Sequence, residues 1–253
     1  MRNRPIVFFL LLATSLCGAQ DTYTLASAQQ ELEAADYLHA VEILDSIERT
    51  GVVSADFYHA LGNARFESGQ IGPAILAYER GLRLRPGNKD LLNNLRYVRE
   101  EAGLTLPDIP DFFLLRWWKV AGAAMGTTTA YALSLVFWWL AVAGTVWWYL
   151  RRRQMEEKRR FALLPLSVIG MVLAATFFLL GRSRYAYLHA TEEAVLTAPA
   201  ATLRVSPTAA GSVEAELEAG HKVRIVDEVN RFVKVQLVDG RQGYLLRESL
   251  DII

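Results

Sequence analysis

Polar and apolar positions change rhythm along this chain. Between about residues 25 and 101, apolar residues recur at the three- and four-residue spacing of helices that bury one face. Residues 130–150 and 161–181 are almost continuously apolar. From residue 192 the pattern shortens to β-branched or alternating runs, at 194–196, 223–226 and 232–237. A further short apolar block occupies residues 6–13.

The two long blocks are each about 20 residues, the length a helix needs to cross about 30 Å of hydrocarbon. Lipid offers no partner for backbone amides, so both are predicted to be helical. Pro165 is expected in the first turn of the second, where its missing N–H is harmless. The alternative is a buried core hairpin, but neither block alternates with polar residues. Residues 151–160 between them read RRRQMEEKRR, six basic residues in ten, the signature of a loop kept on the cytoplasmic side. Topological retention explains this run without a nucleic-acid or anionic-lipid ligand. Trp147, Trp148 and Tyr149 stand beside it at the interfacial level. Both flanking parts are then expected in the periplasm, although Arg116, Lys119, Arg182 and Arg184 place sparser cations on that side.

The first apolar block has Arg2 and Arg4 before it and Cys17-Gly18-Ala19 after it. This predicts a secretory signal peptide over residues 1–19. A lipoprotein reading of Cys17 is weakened by the bulk of Leu16, and an uncleaved anchor would export the following segment equally.

Residues 55–88 read ADFYHALGNARFESGQIGPAILAYERGLRLRPGN. Tyr58, Leu61, Gly62, Ala74, Tyr78, Gly81 and Pro86 stand where a tetratricopeptide repeat places its large, small and terminating residues, and the stretch resembles that repeat over its full length. Arg65 departs from the pattern, which wants an aromatic; Phe66 is adjacent. Gly62 and Ala74 let two antiparallel helices approach, Gly69 ends the first and Pro86 the second. Ala40, Leu44 and Ile47 form a degenerate repeat one period earlier, and residues 90–101 a capping helix with Leu92 and Leu95 on one face. The repeat domain is expected over 20–103. Its resemblance implies a partner-binding groove at Gln29, Glu33, His59, Asn63, Phe66, Glu67, Asn93 and Tyr97; the alternative is that these are ordinary solvated faces. Partner binding is expected to reside there, largely independently of the C-terminal barrel. Residues 104–129 hold a two-proline linker, LTLPDIP, and then Phe112, Phe113, Trp117 and Trp118 with Arg116 and Lys119: an interfacial helix or an extension of the first span.

Residues 182–253 are expected to form a small all-β barrel of about five strands. Leu203-Arg204-Val205-x-Pro207, Leu217-x-x-Gly220-x-x-Val223, Phe232 to Val235 and Asp239-Gly240-Arg241-x-Gly243-Tyr244-Leu245 resemble a bacterial SH3 domain from Ala194 to about Leu250. Phe232 and Tyr244 replace that family's usual tryptophans. Some relatives bind cell-wall peptides, which implies a strip of Phe232, Arg241 and Tyr244; alternatively the two aromatics complete the core and Arg241 is a solvated turn.

Composition narrows the chemistry. The formal net charge of zero provides no global field for nucleic acid. Cys17 is the only cysteine, and His39, His59, His189 and His221 are scattered. No nucleophile–base pair, phosphate loop or ligand cluster is legible, so neither enzyme activity, a cofactor nor a metal is expected. The order of parts describes a multidomain membrane protein: all-α tetratricopeptide repeats, a two-helix transmembrane hairpin and an all-β SH3-like barrel. Together with Asn94-Leu95, Arg99 and the closing Leu237-x-Asp239-Gly240-x-x-Gly243, it resembles the BatE family of Bat aerotolerance operon proteins. That resemblance implies an inner-membrane adaptor working beside other membrane or periplasmic proteins, Bat-family members among them; the alternative is an anchored peptidoglycan-binding module.

Overall fold

The computed structural model describes residues 24–104, 112–151, 153 and 157–253. The signal segment 1–19, Cys17, both linker prolines and residues 152 and 154–156 of the basic loop lie outside the described residues. The chain forms two compact units, residues 1–53 and 54–253, so the helices expected as one repeat domain fall in both.

The first unit contains a helical hairpin, α1 (Leu25–Glu33) and α2 (Tyr37–Glu48). Thr24 Oγ1 accepts the Ser27 N–H at 3.1 Å and Asp36 Oδ1 that of His39 at 3.2 Å, so each helix begins on a side-chain cap. Ala28, Ala40 and Leu44 are fully buried.

The second unit opens with α3 (Ala55–Glu67), α4 (Ile71–Leu84) and α5 (Lys89–Glu101). Ser54 caps α3 through the Phe57 N–H. Gly69 ends it at φ 79°, with Gly69 N–H donating to Phe66 and Gln70 N–H to Arg65, the paired bonds of a left-handed helix stop. Helix α4 runs out at Arg85, before Pro86. Gly62 and Ala74 are buried where α3 meets α4, and a Cβ on Gly62 would lie 2.4 Å from the Tyr78 ring. On α5 the buried stripe is Leu91, Leu95 and Val98; Leu92, expected on that stripe, is only partly buried.

Helix α6 (Phe113–Met125) is separate from α7 (Thr127–Arg151), with the break at Gly126. Helix α8 (Glu157–Leu188) overruns the expected 161–181 at both ends, so Pro165 lies in its interior and not in its first turn. Helices α7 and α8 are long and apolar enough to cross a membrane, with candidate spans Thr127–Arg151 and Pro165–Leu188. They pack through small groups: Ser134 Oγ donates to the Ala174 carbonyl at 2.9 Å and Ala141 meets Gly170. Their large side chains point outward, with Leu135, Trp139 and Leu140 each more than 60% exposed. A buried core hairpin would show the reverse.

Seven strands follow in one antiparallel sheet of order β3-β2-β6-β5-β4-β1-β7: β1 (Glu193–Leu196), β2 (Ala200–Arg204), β3 (Val213–Glu218), β4 (Lys222–Val229), β5 (Phe232–Leu237), β6 (Gln242–Leu246) and β7 (Leu250–Ile252). Alternation puts Val233, Val235 and Leu237 of β5 in the core with Leu203, Leu217, Val223 and Leu245. The sheet is not independent of the helices. Val195 and Ile253 share one buried cluster with Ile75, Tyr78 and Leu91. At Gly72 a Cβ would lie 2.6 Å from the Leu196 carbonyl oxygen, so helix and strand touch backbone to backbone.

Gly62→Leu should lower the melting temperature of the full chain, because overpacking at a helix crossing costs about 1–3 kcal/mol. An unchanged melting curve would contradict the close α3–α4 approach.

Candidate partner-binding face and its support

Helical spacing puts His59, Asn63, Phe66 and Glu67 on one side of α3, beside α5. Asn63 Oδ1 accepts from Tyr78 Oη at 2.8 Å and from Asn94 Nδ2 at 2.9 Å, and the Asn94 amide also meets His59 Nε2 at 2.9 Å. Burial pushes the Tyr78 hydroxyl well above its ordinary range, so it remains a donor at any physiological pH. The four groups form a polar seam joining α3, α4 and α5. Next to it Phe66 and Tyr97 make an edge-to-face pair at 5.7 Å, with Tyr97 57% exposed.

The seam changes the standing of several expected groove residues. Asn63 ties the helices together and is not a free recognition amide. Asn93 is exposed, whereas Asn94, one residue on, enters the seam. A residue step turns a helix by about 100°, and the phase of the Leu91, Leu95 and Val98 stripe would have identified Asn94. Glu67 is exposed at the edge of this face. Gln29 and Glu33 are exposed on α1 of the first unit. In that unit Glu31, Asp36 and His39 also bring ligand atoms within 4.8 Å, but Asp36 caps α2 and His39 lies 3.6 Å from Glu31.

Behind α4 stands an ion cluster. Glu79 accepts from Arg99 at 2.5 Å and from Lys222 of β4 at 3.2 Å, and Lys222 reaches Glu193 of β1 at 3.0 Å. Burial alone would raise the Glu79 carboxyl, but the two cations outweigh it and hold it below the usual range. Burial likewise opposes the Lys222 charge, and Glu79 and Glu193 hold its pKa above the ordinary value.

A second contact lies at the end of α4. Arg184 of α8 donates to the carbonyls of Arg83 at 2.8 Å and Leu84 at 2.7 Å, occupying the α4 C-terminus. Arg83 in turn donates to the Ala190 carbonyl at 2.7 Å and to that of Ile253, and Arg80 to that of Ile252 at 2.8 Å. Neither cluster was expected from the sequence.

On the barrel, Phe232 and Tyr244 are diagonal neighbours, since Phe232 pairs with Leu246 and Tyr244 with Lys234. Both are half-buried on the outer face of the β5–β6 hairpin and do not complete the core. Arg241 sits at the opposite end from Phe232, in the turn, bound to Asp239 at 2.7 Å. The backbone N–H and then the side chain of Arg241 keep the Asp239 carboxyl below its usual range. The expected three-residue strip is therefore split: Arg241 instead lines a cavity of about 290 Å³ with Arg99, Gly220 and His221.

Comparison with known proteins agrees with this geometry at the C-terminus. Residues 199–251 match the bacterial SH3 domain family. No curated protein and no solved structure matches the chain.

The pH response of the Glu79 cluster has a definite sign. A depressed carboxyl contributes stability above its ordinary value of 4.5 and loses it as pH falls through its folded value; the raised Lys222 contributes below 10.5 and loses it as pH climbs past that. Glu79→Gln should therefore destabilise the protein by about 3 kcal/mol at pH 7. The gap in melting temperature to the wild type should be flat between about pH 5 and 10 and close in acid. A gap that persists unchanged at pH 3 would remove the cluster from the account of stability.

Proposed function

We propose that this chain is a non-enzymatic adaptor anchored in the bacterial inner membrane, with tetratricopeptide-type hairpins in α1 to α5 and a bacterial SH3 barrel, both in the periplasm. The observation that carries the reading is the α3–α5 face, where the exposed Tyr97, packed edge-to-face on the half-buried Phe66, borders a polar seam. Fixed aromatics with satisfied polar neighbours suit an extended segment of a protein partner. The fold order and the BatE resemblance support placing that partner among membrane or periplasmic proteins of a Bat-type envelope or oxidative-stress tolerance complex.

A second reading rests on the SH3 match and on the outward position of Tyr244 and Phe232: the barrel grips peptidoglycan. One set of variants separates the two. Tyr97→Ala should cut co-purification of membrane partners about tenfold, as anchor residues often contribute about 1–2 kcal/mol, and leave the melting temperature unchanged. Asn63→Ala should lower the melting temperature through the seam. Retention on purified wall sacculi that disappears with Tyr244→Ala, together with full partner recovery in Tyr97→Ala, would transfer binding to the barrel.

The topology has its own test. The basic loop supports a cytoplasmic hairpin turn, so alkaline phosphatase fused after Ile253 should be active and fused after Arg153 inactive. The opposite pattern would reverse the assignment of both domains.

A further inference from the structure

Helix α6 is packed along one half and bare along the other. In the packed half, Trp118 Nε1 donates to Ser183 Oγ at 2.7 Å, and Gly122 is buried where a Cβ would lie 3.5 Å from both Leu180 and Arg184. In the bare half, Phe113, Leu114, Leu115 and Trp117 are each more than half exposed, as is Phe112 just before the helix. Four consecutive large side chains point around the whole circumference of a helix, so these first turns are apolar on every side. An exposed apolar surface of that kind marks a contact. Its height in the molecule is fixed by the packed half. Leu180, Ser183 and Arg184 belong to the last turns of the apolar window Pro165–Leu188, and a Cβ on Gly181 among them would lie 3.1 Å from the Tyr131 ring near the start of α7. The exposed rings thus stand at one end of the apolar helix pair, the end from which the chain continues into the barrel. Gly126, at φ 76°, stops α6 before α7 begins, so α6 is a separate element beside the pair and not an extension of it.

We propose that the exposed half of α6, with Phe113, Leu114 and Trp117 foremost, inserts into the bilayer interface of the leaflet nearer the barrel, as a third membrane contact beside α7 and α8. This contact depends on α7 and α8 spanning the membrane, as in the proposed function. A protein occupant would have to match rings on every side of one helix. A lipid interface covers such a segment without matching its shape, is continuous with the two spans, and is the level at which tryptophan and phenylalanine side chains settle. Because α6 is held to α8 through Trp118, and α8 to α4 through Arg184, insertion here also sets how close the end of α4 lies to the bilayer.

Site-directed spin labelling of the full-length protein in liposomes tests this. With Cys17→Ser as background, one cysteine is introduced per variant: Leu114→Cys or Trp117→Cys on α6, Leu140→Cys on the outward face of α7, and Glu214→Cys on the exposed side of β3. Power saturation with oxygen and with a water-soluble nickel chelate then reads the depth of each label. Labels at 114 and 117 should favour oxygen and lie about 5–10 Å below the phosphates. The label at 140 should favour oxygen more strongly, at about 15 Å, half the hydrocarbon thickness. The label at 214 should favour the chelate. Chelate access at 114 and 117 equal to that at 214, with 140 still in lipid, overturns the α6 contact alone. Labels at 114 and 117 shielded from both reagents show a protein surface over the rings and also overturn it. Chelate access at 140 overturns the spans and the α6 contact together.

Discussion

Two buried arginines donate hydrogen bonds to backbone carbonyls across the second unit, and the arrangement of its parts depends on those bonds. Arg83 and Arg184 are each under a tenth exposed, and most of their bonds go to backbone carbonyls, not to carboxylates. A buried guanidinium is costly unless its donors are used. The unsatisfied carbonyls at the end of α4 carry the partial negative charge that the Arg184 cation requires, so these groups resolve each other's deficit, while Arg83 donates to carbonyls at residues 190 and 253. The result fixes the end of α4, the end of α8 and the last residues of the sheet at one point. The Glu79 cluster, one turn back along α4, pins β1 and β4 to the same helix. Helix α4, the end of α8 and the sheet therefore pack together within the second unit.

This matters for recognition. A face built from α3 and α5 has little orientation of its own if its neighbours are flexible. With α4 clasped to α8, Phe66 and Tyr97 are presented at a set angle to the apolar helices. The seam of His59, Asn63, Asn94 and Tyr78 bonds internally, so it contributes rigidity, and on the proposed function contact area falls to the aromatics and to exposed groups such as Glu67 and Asn93. The barrel retains a separate outer strip in which Tyr244 lies opposite Lys234 on one side and Arg204 on the other.

Local features were readable in the sequence because they follow from short-range physics. Gly62 and Ala74 mark a close helix crossing, Gly69 a left-handed stop, and the alternation of β5 its inward face. The two apolar helices were legible from composition, although α8 continues past both expected ends because nothing in residues 157–160 or 182–188 stops a helix. What could not be read was contact between distant segments. Gly72 and Ile75 look like any residues of an amphipathic helix until β1 arrives against them. Arg83 and Arg184 look like solvated charges. Asn63 looked available because its two donors come from other helices, 15 and 31 residues away in sequence. The packing of the barrel against α4 was unreadable for the same reason: a barrel motif records its own core, not the side on which it docks.

The Arg83–Ala190 bond spans 107 residues, and both apolar helices lie within that interval. On the membrane reading, the segment carrying α4 is exported before either span exists, and it waits with Arg83, Glu79 and the Gly72 surface uncovered. The clasp closes only after α7 and α8 have inserted and the last strand has crossed. Contacts of such long separation form late and slowly. On that reading, a chain that misinserts or loses a span leaves Arg83 without its Ala190 partner and the Gly72 face of α4 without β1 against it.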